Sequence, residues 1–289
     1  MDRDLLAALE TGALVCDGAM GTMLMASGVE SRCPEEINIV SPDTVLGLHA
    51  AYLAAGADVI TTNSFGGSRT KMAKAGVADL LFQANLAAAR IAREAARETA
   101  LVAGSLGPLG EFLEPLGELT YEQAVAIYRE QAEALAEGGV DFFLVETMFD
   151  LGEARAAVEG AASTGLPVAC TMTFDTGLRT MMGVTPARAV AELRAAGAVA
   201  VGANCGVGPD ETLKAIQEMH QADPSALLIA QPNAGVPSVE GGRTVYSVGA
   251  AEMADFVQQF LDSGVRLIGS CCGSSPEYTR AIVRVAKGG

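Results

Sequence analysis

The chain is short of positive charge, of histidine and of long hydrophobic runs. Lys and Arg number 19 against 35 Asp and Glu in 289 residues, a net charge of −16. So acidic a chain repels a phosphate backbone, which argues against a nucleic-acid partner. No apolar stretch reaches the roughly 18 uninterrupted residues from which a membrane helix is read, so no membrane association is expected. The start, Met1, Asp2, Arg3, Asp4, lacks a basic-then-apolar signal pattern, and the expected location is cytoplasmic. Nucleotide fingerprints are missing as well. The glycine-rich pieces NSFGGS (63–68) and VEGGR (239–243) contain neither GxGxxG nor the P-loop pattern GxxxxGKS/T. The two histidines, His49 and His220, fall in helical segments and read as structural or surface residues. No linker or low-complexity tract divides the chain, which reads as one domain over 1–289.

What the chain does have is alternation. Eight apolar runs of strand length occur at 13–18, 57–63, 99–105, 140–146, 166–174, 198–204, 225–233 and 265–271. They are nearly continuous, as strands buried on both faces are in a parallel sheet. Between them lie alanine-rich segments with helical periodicity, such as 81–99, 121–138 and 186–197. The rhythm predicts an α/β chain folded as a single (β/α)8 TIM barrel, with the active site at the C-terminal ends of the strands. The first 12 residues are expected to form a helix closing the barrel floor, and the long stretch 18–44 a loop building the mouth ahead of a helix at 44–55.

At the strand ends stand Asp17, Asn63 with Ser64, Ser105, Glu146, Thr173, Asn204 with Cys205, Asn233, and Cys271 with Cys272. A cytosolic chain keeps its cysteines reduced, so six of them call for packing, metal binding or catalysis. Cys205 and the Cys271–Cys272 pair belong to strands six and eight, which a closed barrel separates by one strand. Three converging thiolates suit zinc with an open fourth position; a buried structural pair or a vicinal disulfide is the competing reading. Adjacent cysteines can face one ion only where the strand breaks, as Gly269, Ser270 and Gly273 allow. Cys16 and Cys170 sit in apolar runs as packing residues, and the role of Cys33 stays open. Zinc bound by three thiolates carries a net negative charge and is better suited to holding a fourth thiol than to activating water. That points to a substrate sulfur attacking an electrophilic carbon. Asp17 and Glu146 could face an ammonium group across the mouth, although Asp17 could instead cap its own turn and a carboxylate pair also serves hydrolases. The backbone N–H groups of Gly18, Ala19, Met20 and Gly21 could receive a carboxylate. Met20, Met23 and Met25 read as core or as an apolar part of the mouth.

The stretches DGAMGTML (17–24), RCPEEIN (32–38), AYLAAGADVITTNSFGGSR (51–69), AGSLGP (103–108), GANCGVGP (202–209), QPNAG (231–235) and GSCCGSSPEY (269–278) resemble the homocysteine S-methyltransferase family. RCPEEIN and PNAG are most similar to the homocysteine-binding module of cobalamin-dependent methionine synthases. The resemblance implies methylation of homocysteine to methionine, with Zn2+ on Cys205, Cys271 and Cys272. It implies that Asp17 and Glu146 hold the ammonium and that the Asn233 amide oxygen fills the fourth zinc position until the thiol displaces it; Gly18 and Ala19 are expected to bind substrate through the backbone N–H groups noted above. Asn63, Ser64 and Asn204 are expected at the mouth or behind the substrate. Full cobalamin-dependent synthases continue into folate and cobalamin modules, whereas this sequence ends at Gly289. The expected donor is therefore methylcobalamin on another module or protein. S-methylmethionine or a betaine-like onium donor would serve the same chemistry, and a vicinal-dithiol redox or homocysteine-sensing role is the reading outside methyl transfer.

Overall fold

The computed structural model describes residues 4–240 and 243–288. Its strands are β1 (Leu14–Val15), β2 (Val59–Thr61), β3 (Leu101–Leu106), β4 (Phe142–Met148), β5 (Val168–Met172), β6 (Ala200–Cys205), β7 (Leu228–Pro232), β8 (Pro237–Glu240), β9 (Arg243–Tyr246) and β10 (Val265–Ile268). Eight of them form one sheet in the order β1-β10-β7-β6-β5-β4-β3-β2, with every neighbouring pair parallel. A parallel bridge between Cys16 and Val59 joins the two ends, closing the (β/α)8 barrel that the apolar rhythm predicts.

The continuous apolar runs exist because both faces of every strand are buried. Leu14, Val59, Leu101, Ala103, Phe142, Leu144, Ala169, Ala200, Ile229 and Leu267 pack together in the lumen. Their neighbours in the strands, among them Val15, Ile60, Val102, Phe143, Val145, Val168, Val201 and Leu228, pack against the surrounding helices. This pleat parity, one residue in and the next out, decides what reaches the mouth. The alanine-rich helices answer to close packing. A Cβ on Gly138 would stand 2.4 Å from that of Ala89, and one on Gly160 would stand 2.6 Å from the Val125 carbonyl. Cys16 and Cys170 are fully buried, Cys16 in the lumen and Cys170 towards the helices.

The helix Leu5–Thr11, capped by the Asp4 carboxylate, sends Leu5 and Leu9 into the lumen cluster as the floor. The observed helices Leu81–Ala96, Tyr121–Gly138 and Pro186–Ala195 occupy the predicted segments, and no helix among the described residues is long and apolar enough to cross a membrane. One local expectation is corrected. The stretch 18–44 is not a plain loop: it holds the helices Met20–Ser27 and Ile37–Val40 and a 3-10 turn at Pro34–Glu36, and the following helix begins at Pro42. After β7 the chain makes the antiparallel hairpin β8–β9, whose alternation is too short to stand out from the flanking loop. The glycines of VEGGR, 241–242, lie outside the described residues.

Candidate functional site

A cavity of about 410 Å³ opens at the C-terminal ends of the strands, and Asp17, Glu146, Cys205, Cys271 and Cys272 all line it. The ligand sulfurs of Cys205, Cys271 and Cys272 lie within 4.8 Å of one another, the one group of this kind that could hold a metal ion among the described residues. A tetrahedral zinc with Zn–S bonds of roughly 2.3 Å needs sulfurs about 3.8 Å apart, so the donors and their spacing fit such an ion.

Backbone distortion brings the thiols together. Pleat parity sends Ala200 and Asn204 to the lumen, so a regular β6 would turn Cys205 towards the helices. Instead Cys205 has φ 60°, in the left-handed region, followed by Gly206 at φ 68°. Such a conformation in a residue with a Cβ costs on the order of 1–3 kcal/mol and persists only where surrounding structure enforces it. Here the Asn233 N–H donates to the Cys205 carbonyl at 3.3 Å, and Asn233 Nδ2 donates to the Gly206 carbonyl at 2.8 Å. The paired cysteines follow the end of β10. Cys271 N–H donates to the Pro232 carbonyl at 2.8 Å, and the Cys272 carbonyl accepts from Ala234 N–H at 3.0 Å. Gly273, at φ 82°, lies against Tyr246 of the hairpin, whose ring would be 2.3 Å from a Cβ there.

The electrostatics of the corner favour a cation. The thiols of Cys271 and Cys272 donate towards the Cys205 sulfur and hold its pKa well down; those same contacts, with burial, push the other two up. The Asn233 Oδ1 atom is buried and unpartnered beside this corner.

The carboxylates stand next to this corner, with Asn204 Nδ2 3.5 Å from Glu146 Oε2 and 3.9 Å from Cys271 Sγ. Glu146 falls on the lumen parity of Phe142 and Leu144, and its Oε1 accepts from Ser105 Oγ at 2.5 Å. Asp17 does not cap its own turn: its two oxygens accept from Thr61 N–H at 2.7 Å and Thr61 Oγ1 at 2.9 Å. Burial pushes both acids up to about 7, against hydrogen bonds that pull them down. Among the described residues no Lys, Arg or His lines the cavity. A cationic ligand group would therefore meet Asp17 and Glu146, with Glu35 also on the wall, and no counter-charge among the described residues.

The homocysteine S-methyltransferase family model matches residues 14–286. The chain belongs to the homocysteine S-methyltransferase family. It is 32% identical over 304 residues to methionine synthase of Mycobacterium leprae, an alignment covering 97% of this chain and 25% of that protein. The chain thus spans about a quarter of the length of that curated relative. The homocysteine methyltransferase MmuM from Escherichia coli, in its metallated form, superposes with a TM-score of 0.81 at 25% identity, covering 96% of this chain and 98% of that one. Its oxidized form gives 0.80 at 26% identity, with 97% of each chain covered.

For this member of the family, the remaining residues singled out in the sequence fall in two groups. Gly18, Ala19, Asn63 and Ser64 line the cavity. The Ala19 N–H already donates to Ser274 Oγ at 3.0 Å, whereas the helix Met20–Ser27 begins there with no side-chain cap on its first-turn amides. Asn63 Nδ2 donates to the Pro34 carbonyl at 2.7 Å, and Ser64 Oγ to the Ser105 carbonyl at 2.8 Å, so both tie loops together. Asn204 works behind the cavity. Its Oδ1 accepts from Thr147 N–H and Thr171 Oγ1, each at 2.8 Å, and its Nδ2 approaches Glu146 Oε2 at 3.5 Å. The glycines of NSFGGS form no phosphate cradle, since Gly66 N–H donates to the Glu35 carboxylate at 2.7 Å. Cys33 is half-buried against the cluster of Met72, Val77, Leu81 and Ala84.

Sequence reasoning passed over Thr61, Glu35, Gln231 and Ser270, all of which line the cavity. Gln231 was accessible: two residues before Asn233 and two after the lumen residue Ile229, it shares their parity. Ser270 and Glu35 lie outside regular strands, where no periodicity points to them.

Proposed function

We propose that this chain is the homocysteine-activating barrel of a methionine-forming methyltransferase, with Zn2+ held by Cys205, Cys271 and Cys272. The observation that carries the reading is the convergence of three cysteine sulfurs within 4.8 Å in a cavity lined by the carboxyls of Asp17, Glu35 and Glu146 and, among the described residues, by no basic side chain. When bound, zinc would supply a Lewis acid that keeps the homocysteine thiol ionised near neutral pH. Asn233, its Oδ1 unpartnered, would occupy the fourth position in the absence of substrate. Glu146, oriented by Ser105 and Asn204, and Asp17, oriented by Thr61, would take the substrate ammonium, each carboxylate oxygen having a lone pair to spare. Gly18 and Ala19 would shape the wall beside the substrate, with Asn63 and Ser64 at the lip. The whole is read as one module working in a reducing, cytoplasmic compartment, consistent with six free cysteines, and without nucleic-acid or membrane partners.

The methyl donor in this reading is methylcobalamin carried by a corrinoid module or protein, with a folate module as a further partner. Two observations support it: the similarity to a methionine synthase four times the length of the aligned segment, and an apolar mouth. Met25, Phe112, Leu116, Met181, Val236 and Val239, on the segments following β1, β3, β5 and β7, are all exposed. Exposed apolar side chains on four of the segments that follow the strands are more than a small donor needs and suit a macromolecular surface. A small onium donor, S-methylmethionine or betaine-like, is the second reading, favoured by the end-to-end match with MmuM.

Zinc-loaded chain incubated with homocysteine and, separately, methylcobalamin, S-methylmethionine and betaine should form methionine with methylcobalamin. Turnover with an onium compound alone would transfer the assignment to the second reading. A chain that binds no zinc, makes no methionine and shows a mass two hydrogens short would support the vicinal-dithiol reading instead.

A further inference from the structure

Homocysteine has two charged groups at its amino-acid end, and among the described residues the cavity offers no cationic side chain for the carboxylate. Neutral donors must receive it. Most hydroxyls on the cavity wall already donate elsewhere: Thr61 to Asp17, Ser64 to the Ser105 carbonyl, and Ser105 to Glu146. Thr62 shares a 2.6 Å contact with Ser64, whose proton is directed at Ser105, so Thr62 is the donor there. Ser270 differs. Its Oγ is buried without a hydrogen-bond partner, in a residue 3% exposed. It stands beside Gly18, whose missing side chain keeps that wall open, since a Cβ there would be 3.2 Å from Ser270 Oγ and 2.6 Å from Ser274 Oγ.

A second orphan lines the same cavity. Gln231, 5% exposed, presents a buried Oε1 with no donor, and its Cγ lies on the side of Asp17, 3.4 Å from where a Gly269 Cβ would stand, with the Asp17 carbonyl 3.0 Å from that point. An unpartnered acceptor in such a place is costly to bury unless a ligand donates to it. An ammonium has three N–H donors, and Asp17 and Glu146 account for two.

We infer that Gln231 and Ser270 are specificity-determining residues for the amino-acid end of the substrate, Gln231 Oε1 accepting from the ammonium and Ser270 Oγ donating to the carboxylate. The inference rests on the homocysteine reading above and deepens it. Neither residue touches the sulfur, so both act on which thiol is accepted rather than on how it is ionised.

Calorimetric titration of the zinc-loaded chain with three thiols tests it: homocysteine, mercaptobutanoate, which lacks the ammonium, and aminopropanethiol, which lacks the carboxylate. Gln231→Leu should weaken homocysteine and aminopropanethiol by about 10-fold and leave mercaptobutanoate unchanged; Ser270→Ala should weaken homocysteine and mercaptobutanoate by a similar factor and leave aminopropanethiol unchanged. Zinc content and thermal midpoint, measured on the same samples, should match those of the unaltered chain. Homocysteine affinity unmoved by both substitutions overturns the inference while the proposed function stands. Equal loss of all three thiols also overturns it, because the residues would then be supporting the fold or the metal. An unaltered, zinc-loaded chain that binds none of the thiols overturns the proposed function, and the inference with it.

Discussion

The two sides of the cavity are built in different ways. On the carboxylate side Glu146, Ser105 and Thr61 follow the pleat, facing inward because Phe142, Leu144, Leu101, Ala103 and Val59 do, whereas Asp17, on the parity of Val15, reaches the cavity from just past the end of β1 and Thr147 beside Glu146 sits at φ 61°. The thiol side breaks it, with Cys205 at φ 60°, Gly206 at φ 68° and Gly273 at φ 82°. A carboxylate needs only burial and one or two donors to be held. Three sulfurs that must meet at a point cannot all be delivered by alternation, so Cys205 turns left-handed and the Cys271–Cys272 pair lies beyond the end of β10.

The comparison is broken most severely by removing a sulfur. Cys205→Ser should lower zinc affinity by more than about 100-fold and abolish methyl transfer with homocysteine, read by metal analysis and methionine formation. Glu146→Gln should do the reverse, retaining one zinc per chain while weakening homocysteine by roughly 30-fold, because a buried charged partner is lost and the metal corner is untouched. Equal zinc loss in both variants would mean that the two sides are one unit.

Gly273→Ala probes the bend itself. Its φ of 82° and the Tyr246 ring 2.3 Å from the added Cβ should cost about 2 kcal/mol in unfolding free energy and weaken zinc binding without removing a ligand. A substitution that loosens the fold but leaves zinc affinity intact would separate the hairpin from the thiol corner.

The smallest effect is a pH slope. Asp17 is pushed up to about 7 from 3.8 by burial, so between those values the folded state holds a proton that the unfolded chain releases, and stability falls as pH rises. His49 is fully buried with both ring nitrogens unpartnered, and burial lowers it from 6.5 to about 4. In that window the unfolded chain holds the proton, and stability rises with pH. From pH 4 to 6.5 the two contributions oppose each other at about 1.4 kcal/mol per unit each. Relative to the unaltered metal-free chain, Asp17→Asn should therefore tilt the stability profile upwards with pH, and His49→Leu should tilt it downwards. Denaturant titrations across that range read both, and parallel profiles would show that neither group is perturbed by its surroundings.

Much of this site was legible before any coordinates. The eight apolar runs, the cysteines flanking GAN and GSSPE, and the acids closing the first and fourth runs all stand where the barrel puts its mouth. The hairpin β8–β9 and the helices within 18–44 were not legible, since their residues carry short or mixed periodicity and owe their shape to what they pack on. Gln231 could have been found by counting in twos along β7, whereas Ser270 could not, being neither on a strand nor of a type that announces a site.

By itself the sequence determined the architecture and the inventory of reactive groups, because strand and helix periods are local and a strand's inward face follows from counting. Only the tertiary structure decided which groups meet. The left-handed turn at Cys205, the 4.8 Å limit on the sulfurs, the raised acids and the unpartnered atoms of Gln231 and Ser270 all depend on segments far apart in the chain excluding water from one another.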